Sequence, residues 1–210
     1  MHLFSRNVQF NGPTSEVMAH AASLRAYVAE KSGLDVGLWS VVFGAPVGTC
    51  TYSARVDGLA GVQAMAMSLA GDAKWEALLA KGADWYTGAP SDALASPLHG
   101  SLDGGSPPLG SVAQVTSAVV AGGAYVAAIT WGVALAQHIE KVTGNPMLFL
   151  SEMSGTFGGV RWIGVSADAA GADAAGQKML GDTTYLDMLG SIGDLFLPGS
   201  GHQSTVMRVA

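Results

Sequence analysis

The sequence predicts an α+β fold made of two tandem βαββαβ modules, and three observations carry that reading. The first is a repeated helix face. Residues 71–79 and 181–189 match at an offset of 110, so that Trp75, Leu78 and Leu79 recur as Tyr185, Met188 and Leu189, and Trp85-Tyr86 recurs as Leu195-Phe196. Spacings of three and four place these apolar residues on one side of a helix. The second observation is an ordered set of further matches: Gly12 with Gly122 and Glu30-Lys31 with Glu140-Lys141 at 110, then Gly44, Gly48 and Asp57 with Gly155, Gly159 and Asp168 at 111. The third is Asp103-Gly104-Gly105-Ser106-Pro107-Pro108, which combines flexible glycine with stiff Pro-Pro where a boundary between copies would fall.

Each element then follows from local chemistry. Residues 3–11 alternate as a strand, and residues 14–32 form a helix with Pro13 at its start. Residues 36–43 and 48–56 form the second and third strands around a Gly-Ala-Pro turn. A second helix spans residues 59–85 and breaks near Gly71-Asp72, where Asp72 is a suitable N-cap. The fourth strand lies within residues 93–102. In the second copy, an uncharged Ala-rich helix covers residues 125–139 and residues 203–209 form the last strand. Each copy is therefore a ferredoxin-like unit, giving a first module over 1–102, a linker over 103–110 and a second module over 111–210.

Composition narrows the function. With 49% hydrophobic and 12% charged residues, much of the surface must be neutral, which points to a homo-oligomer. A net charge of −6 without any basic run argues against nucleic acid as a partner. One cysteine, Cys50, rules out an intrachain disulfide, and residues 1–6 lack a signal-peptide pattern, so a cytoplasmic location is expected. Residues 104–139 carry no Asp, Glu, Lys or Arg, yet Gln114, Thr116, Ser117, Gly122-Gly123 and Thr130 interrupt them and basic flanks are missing. They read as strand, turn and helix rather than as a membrane span.

A doubled βαββαβ module of this order resembles the dimeric α+β barrel superfamily, and the stretch from Leu38-Trp39 to Trp85 looks most like its NIPSNAP-like and stress-responsive branches. The resemblance implies two sheets facing each other as a barrel with helices outside. It implies an interior that takes a small apolar or amphipathic molecule, and activities that include cofactor-independent monooxygenation. Haem-degrading members use an Asn on the first strand with a later Trp and His. Asn7 and Trp75 match the first two, but residues 84–86 read Asp-Trp-Tyr and offer no haem-ligating His, so no cofactor is expected.

Strand alternation indicates what such an interior would hold. Phe4, Val8 and Phe10 share one face of the first strand, and Ser5, Asn7 and Gln9 the other. Cys50, Tyr52, Ala54 and Val56 face the helices, which leaves Thr49, Thr51, Ser53 and Arg55 inside. In the second copy Val115, Ser117 and Val119 replace Ser5, Asn7 and Gln9, and the offset of 111 puts Trp162 in place of Thr51. One polar and one apolar wall suit an amphipathic ligand, with Asn7, Gln9, Thr51, Arg55 and Trp162 as its contacts. None of the five histidines makes a metal-binding spacing, so no metal is expected. His99 and His202 lie near the fourth strands and are the candidate acid or base. Two functions follow: an enzyme of the cofactor-independent monooxygenase or isomerase kind, or a non-catalytic binding or assembly protein that docks a partner through helix 125–139.

Overall fold

A computed structural model describes residues 1–210. The chain runs β1 His2–Gln9, α1 Thr14–Ser32, β2 Val36–Phe43, β3 Thr49–Val56, α2 Gly58–Leu69, α3 Ala73–Lys81, a 3-10 turn at Ala83–Trp85, and β4 Ser91–His99. The second half gives β5 Val112–Val119, α4 Tyr125–Thr143, β6 Met147–Ser154, β7 Gly159–Ser166, α5 Ala169–Leu180, α6 Thr183–Gly190 and β8 His202–Arg208. All eight strands pair antiparallel in one closed barrel of order β1-β3-β2-β8-β5-β7-β6-β4. Each half contributes four neighbouring strands, and the seams between halves are β2–β8 and β4–β6. The fold is α+β, with the helices packed outside the barrel.

The second helix of each half is two helices rather than one. Asp72 caps α3 by accepting from the Lys74 and Trp75 amides, and Asp182 caps α6 by accepting from the Tyr185 amide. Both carboxylates also hold their helix to the long helix beside it. Asp72 accepts from the Tyr27 hydroxyl at 2.7 Å and pairs with Lys31 on α1, while Asp182 lies 2.8 Å from the His138 ring on α4. Lys31, Tyr27 and the Trp75 amide hold the Asp72 carboxyl below the usual range, so the tie persists in mildly acidic solution. α4 extends to Thr143, four residues past the expected Ile139, and ends at Gly144 in the left-handed conformation.

The two outer cores differ. Under α4, Phe149 stacks on Trp162 at 4.6 Å, Trp131 and Phe196 meet Trp162 and each other edge-on, and Trp162 Nε1 donates to the Gly132 carbonyl at 3.0 Å. This close approach needs glycine, because a Cβ at Gly132 would stand 2.3 Å from Phe149 Cζ. Under α1, His20 is buried between Phe10 and Trp85 with neither ring nitrogen hydrogen-bonded. No helix is long and apolar enough to cross a membrane.

Two stability outcomes are expected. Gly132→Val should lower unfolding free energy in urea by about 2 kcal/mol through overpacking. Burial, with Lys81 nearby, lowers the His20 pKa. The unfolded chain therefore takes up a proton that the folded chain refuses, and stability falls as pH drops below the free-histidine value of about 6.5. Thermal melts at pH 7.5 and 5.5 should differ less in His20→Met than in the parent.

Candidate functional site

Two cavities lie on opposite faces of the same strands. The barrel interior encloses about 670 Å³. Ser5, Asn7, Thr51, Ser53 and Arg55 form its polar wall, and Val115, Ile163, Val165 and Val206 its apolar wall. Asn7 and Thr51 sit opposite each other in the β1–β3 register, and the Thr51 hydroxyl donates to Asn7 Oδ1 at 2.7 Å. Gln9, the next interior position, lies exposed beyond the cavity. His202 reaches the cavity from the start of β8. His99 does not: its Nε2 lies 3.0 Å from Glu140, whose other oxygen accepts from the Met147 amide, so this histidine joins β4 to α4.

Trp162 corrects the sequence expectation. It faces outward into the aromatic core under α4, and Arg161 takes the interior position. The register explains the difference, since Asn7 opposes Thr51 while Ser117 opposes Arg161, an offset of 110 rather than 111. The β2–β3 loop is residues 44–48 and the β6–β7 loop only 155–158, so the extra residue gained before β6 is lost again in the hairpin. A one-residue slip moves every side chain to the other face. Arg161 is thereby a site residue that the offset of 111 concealed.

Inside the barrel Arg161 donates through Nε to Glu152 Oε1 at 2.8 Å and through Nη1 to Ser5 Oγ at 3.0 Å. The Arg161 and Glu152 side chains are only 15% and 9% exposed, so the pair is nearly dry and neutral as a unit. Arg55 is held differently. Its Nη1 donates to Ser106 Oγ at 3.2 Å, its Nε is buried without an acceptor, and no carboxylate lies within ion-pair distance of it. Burial lowers the Arg55 pKa, with Asp35 pulling the other way.

The second cavity, about 440 Å³, lies between the outer face of the first-half sheet and its helices. Phe4, Val8, Leu24, Val28, Met65 and Trp75 make most of its wall. Its polar groups are few. Tyr52 donates to the Ala21 carbonyl at 3.3 Å, Tyr86 stands beside it, and Arg6 grips both oxygens of Asp92 at 2.8 and 2.7 Å. Burial raises both phenols, so they remain protonated donors at neutral pH. By strand register Tyr52 opposes Arg6 as Trp162 opposes Thr116. The indole that completes the second-half core therefore stands where the first half leaves its cavity. His, Cys, Asp and Glu form no group of three that could hold a metal ion.

The Arg161–Glu152 pair supplies a test of barrel polarity. Glu152→Ala should cost about 3 kcal/mol in urea unfolding, because it strands a nearly buried guanidinium. The double change Glu152→Leu with Arg161→Met should recover most of that loss.

No protein-family model matches the chain, and no curated protein matches it. Solved structures do. An anthrone oxidase-like protein superimposes with a TM-score of 0.68 at 12% identity, covering 100% of this chain and 92% of its own. A candidate monooxygenase of Fusobacterium nucleatum gives 0.65 at 11% identity, with 100% and 92% covered. A major regulator of staphylococcal pathogenesis gives 0.59 at 9% identity, with both chains covered completely. Likeness at such identities is likeness of fold, and one of the three is named as a regulator rather than an enzyme. The closed eight-stranded barrel, its outer helices and these full-length superpositions together give this chain the fold of the dimeric α+β barrel superfamily.

Proposed function

We propose that the protein binds a hydrophobic, aromatic small molecule in the helix–sheet cavity of its first half and oxidises it with dioxygen, without a bound cofactor. One observation carries this reading: equivalent places in the two halves are treated oppositely. The second half is filled by Trp131, Phe149, Trp162 and Phe196, whereas the first half keeps about 440 Å³ open behind Tyr52, Trp75 and Tyr86. Empty apolar space costs stability, so a cavity of this size is best understood as space for a ligand. The aromatic walls favour a flat, ring-bearing molecule.

The site chemistry fits a substrate that supplies its own electrons. The Tyr86 phenol is free to donate a hydrogen bond to a carbonyl or phenolate oxygen, while Tyr52 spends its one O–H on the Ala21 carbonyl. Arg6 stands at the rim, paired through both oxygens of Asp92 and so neutral as a unit, which leaves the cavity itself without a charge and suited to a neutral substrate. Among the structural neighbours, the anthrone oxidase-like protein and the Fusobacterium candidate monooxygenase carry names of this reaction class. For a ring methylene the overall change is balanced by CH2 + O2 → C=O + H2O, with the substrate carbon as the only reductant.

A second reading is assembly through α4. Its outward residues Val126, Ala127, Thr130 and Ala134 are exposed and uncharged, a surface suited to a second copy of the chain. Native mass spectrometry with the charged variant Val126→Lys/Ala134→Glu checks it, since an α4-mediated oligomer should dissociate.

Anthrone with air-saturated buffer tests the enzymatic reading. Oxygen uptake and anthraquinone formation should exceed the uncatalysed rate with the parent protein. Tyr52→Trp, which puts into the first half the indole found in the second, should abolish the excess while preserving the fold by circular dichroism. Binding without turnover would reduce the reading to a carrier, and no binding of anthrone or related tricyclic aromatics would overturn it.

A further inference from the structure

We infer that the barrel interior is a second, separate binding site, and that it takes a monoanionic amphiphile of the medium-chain or aryl carboxylate class. The inference does not depend on the helix–sheet cavity, because the two volumes lie on opposite faces of β1 and β3.

Charge balance inside the barrel points to a single anion. The cavity wall carries two guanidiniums and two carboxylates: Arg161 is neutralised by Glu152, Asp92 is paired with Arg6 from the other face of β1, and Arg55 has no ion-pair partner. The charged groups near the Arg55 end are Asp35, Asp103 and Arg208. Asp35 is already engaged by the Ser106 amide at 3.2 Å and by Arg208 at 3.7 Å, and Asp103 accepts from the Ser101 hydroxyl at 2.7 Å. Arg55 is therefore the one guanidinium on the wall of this interior, about 670 Å³ in volume, that no carboxylate pairs directly.

Geometry selects a planar anion. Arg55 uses only Nη1, toward Ser106, and leaves Nε without an acceptor. The Nε–Nη2 edge is the one with which Arg6 holds both oxygens of Asp92 elsewhere in this chain, and a guanidinium edge matches a carboxylate two bonds to two. An unmet buried donor is costly, and an acceptor that reached it would recover that cost. The remainder of the ligand is specified by the opposite wall. Val115, Ile163, Val165 and Val206 are aliphatic and contiguous with Trp39, so they accept an alkyl or aryl tail rather than a second charge. Asn7, Thr51 and Ser117 add neutral polar groups without adding charge.

The occupant is set apart from a neutral lipid or a cationic detergent by its charge, and this can be measured directly. Isothermal titration calorimetry on the full chain with decanoate, decanol and decyltrimethylammonium should show binding of decanoate alone or well above the other two. Arg55→Met should weaken decanoate about tenfold or more, and Arg55→Lys should retain part of the affinity. Ile163→Trp narrows the apolar wall while leaving Arg55 in place, and should also abolish binding, so the test survives if an Arg55 variant does not fold. Tyr52→Trp fills the other cavity and should leave decanoate binding unchanged. Equal binding of decanol, unchanged affinity in Arg55→Met, loss of decanoate in Tyr52→Trp, or no decanoate binding to the parent would each overturn the inference.

Discussion

Closure of the barrel is the constraint on which everything else depends. Four strands from either half make a sheet with one face under helices and the other bare, and with two open edges. The β2–β8 and β4–β6 ladders remove those edges and turn the two bare faces toward one another. Both seams are irregular: the register shifts between Val41 and Phe43 in the first and twice along β4 in the second. Such shifts concentrate bending where the two sheets must curve into one wall. An interior arises only because neither half can cover its own inner face.

Closure also makes polarity inside the barrel expensive, and the chain meets that cost in two different ways. Arg161, Glu152 and Ser5 form a network that spans the two halves and leaves no unmatched charge. Arg55 has only a neutral hydroxyl from the segment that joins the halves. Residues 103–110 are more than a flexible spacer, because the Ser106 amide donates to Asp35, the Pro107 carbonyl accepts from Arg208, and Leu102 and Ser111 at its ends are buried. The connector thus closes one end of the barrel over the only guanidinium there without an acidic partner.

Much of the architecture was legible because strands and helices impose different periods. The alternation of Ser5, Asn7 and Gln9 against Phe4, Val8 and Phe10 assigned the faces of β1, and Thr51 and Arg55 followed on β3. Asp72 was readable as a cap because its side chain acts within three residues of its own position. What sequence could not supply was register carried through a hairpin. Gly48 and Gly158 both adopt positive φ and each carbonyl accepts from the strand opposite, at Phe10 and Val120. Pairing those two glycines, rather than Gly48 with Gly159, would have placed Arg161 inside and Trp162 outside. The helix–sheet cavity was invisible for a different reason: it depends on the volume left between side chains, and alternation reports direction but not space.

The misplaced residue explains why the cavity exists at all. Trp162 and Tyr52 occupy matching strand positions on the helix-facing side, yet their surroundings differ. Gly132 lets Phe149 and the indole press against α4, and Trp131 and Phe196 close around them. In the first half Tyr52 carries a smaller ring whose hydroxyl is drawn to the Ala21 carbonyl of α1, and His20 and Trp85 pack with Phe10 instead of filling the space beside it. A densely packed half and a hollow half share one barrel, and close packing and open volume are demands that conflict within a single core.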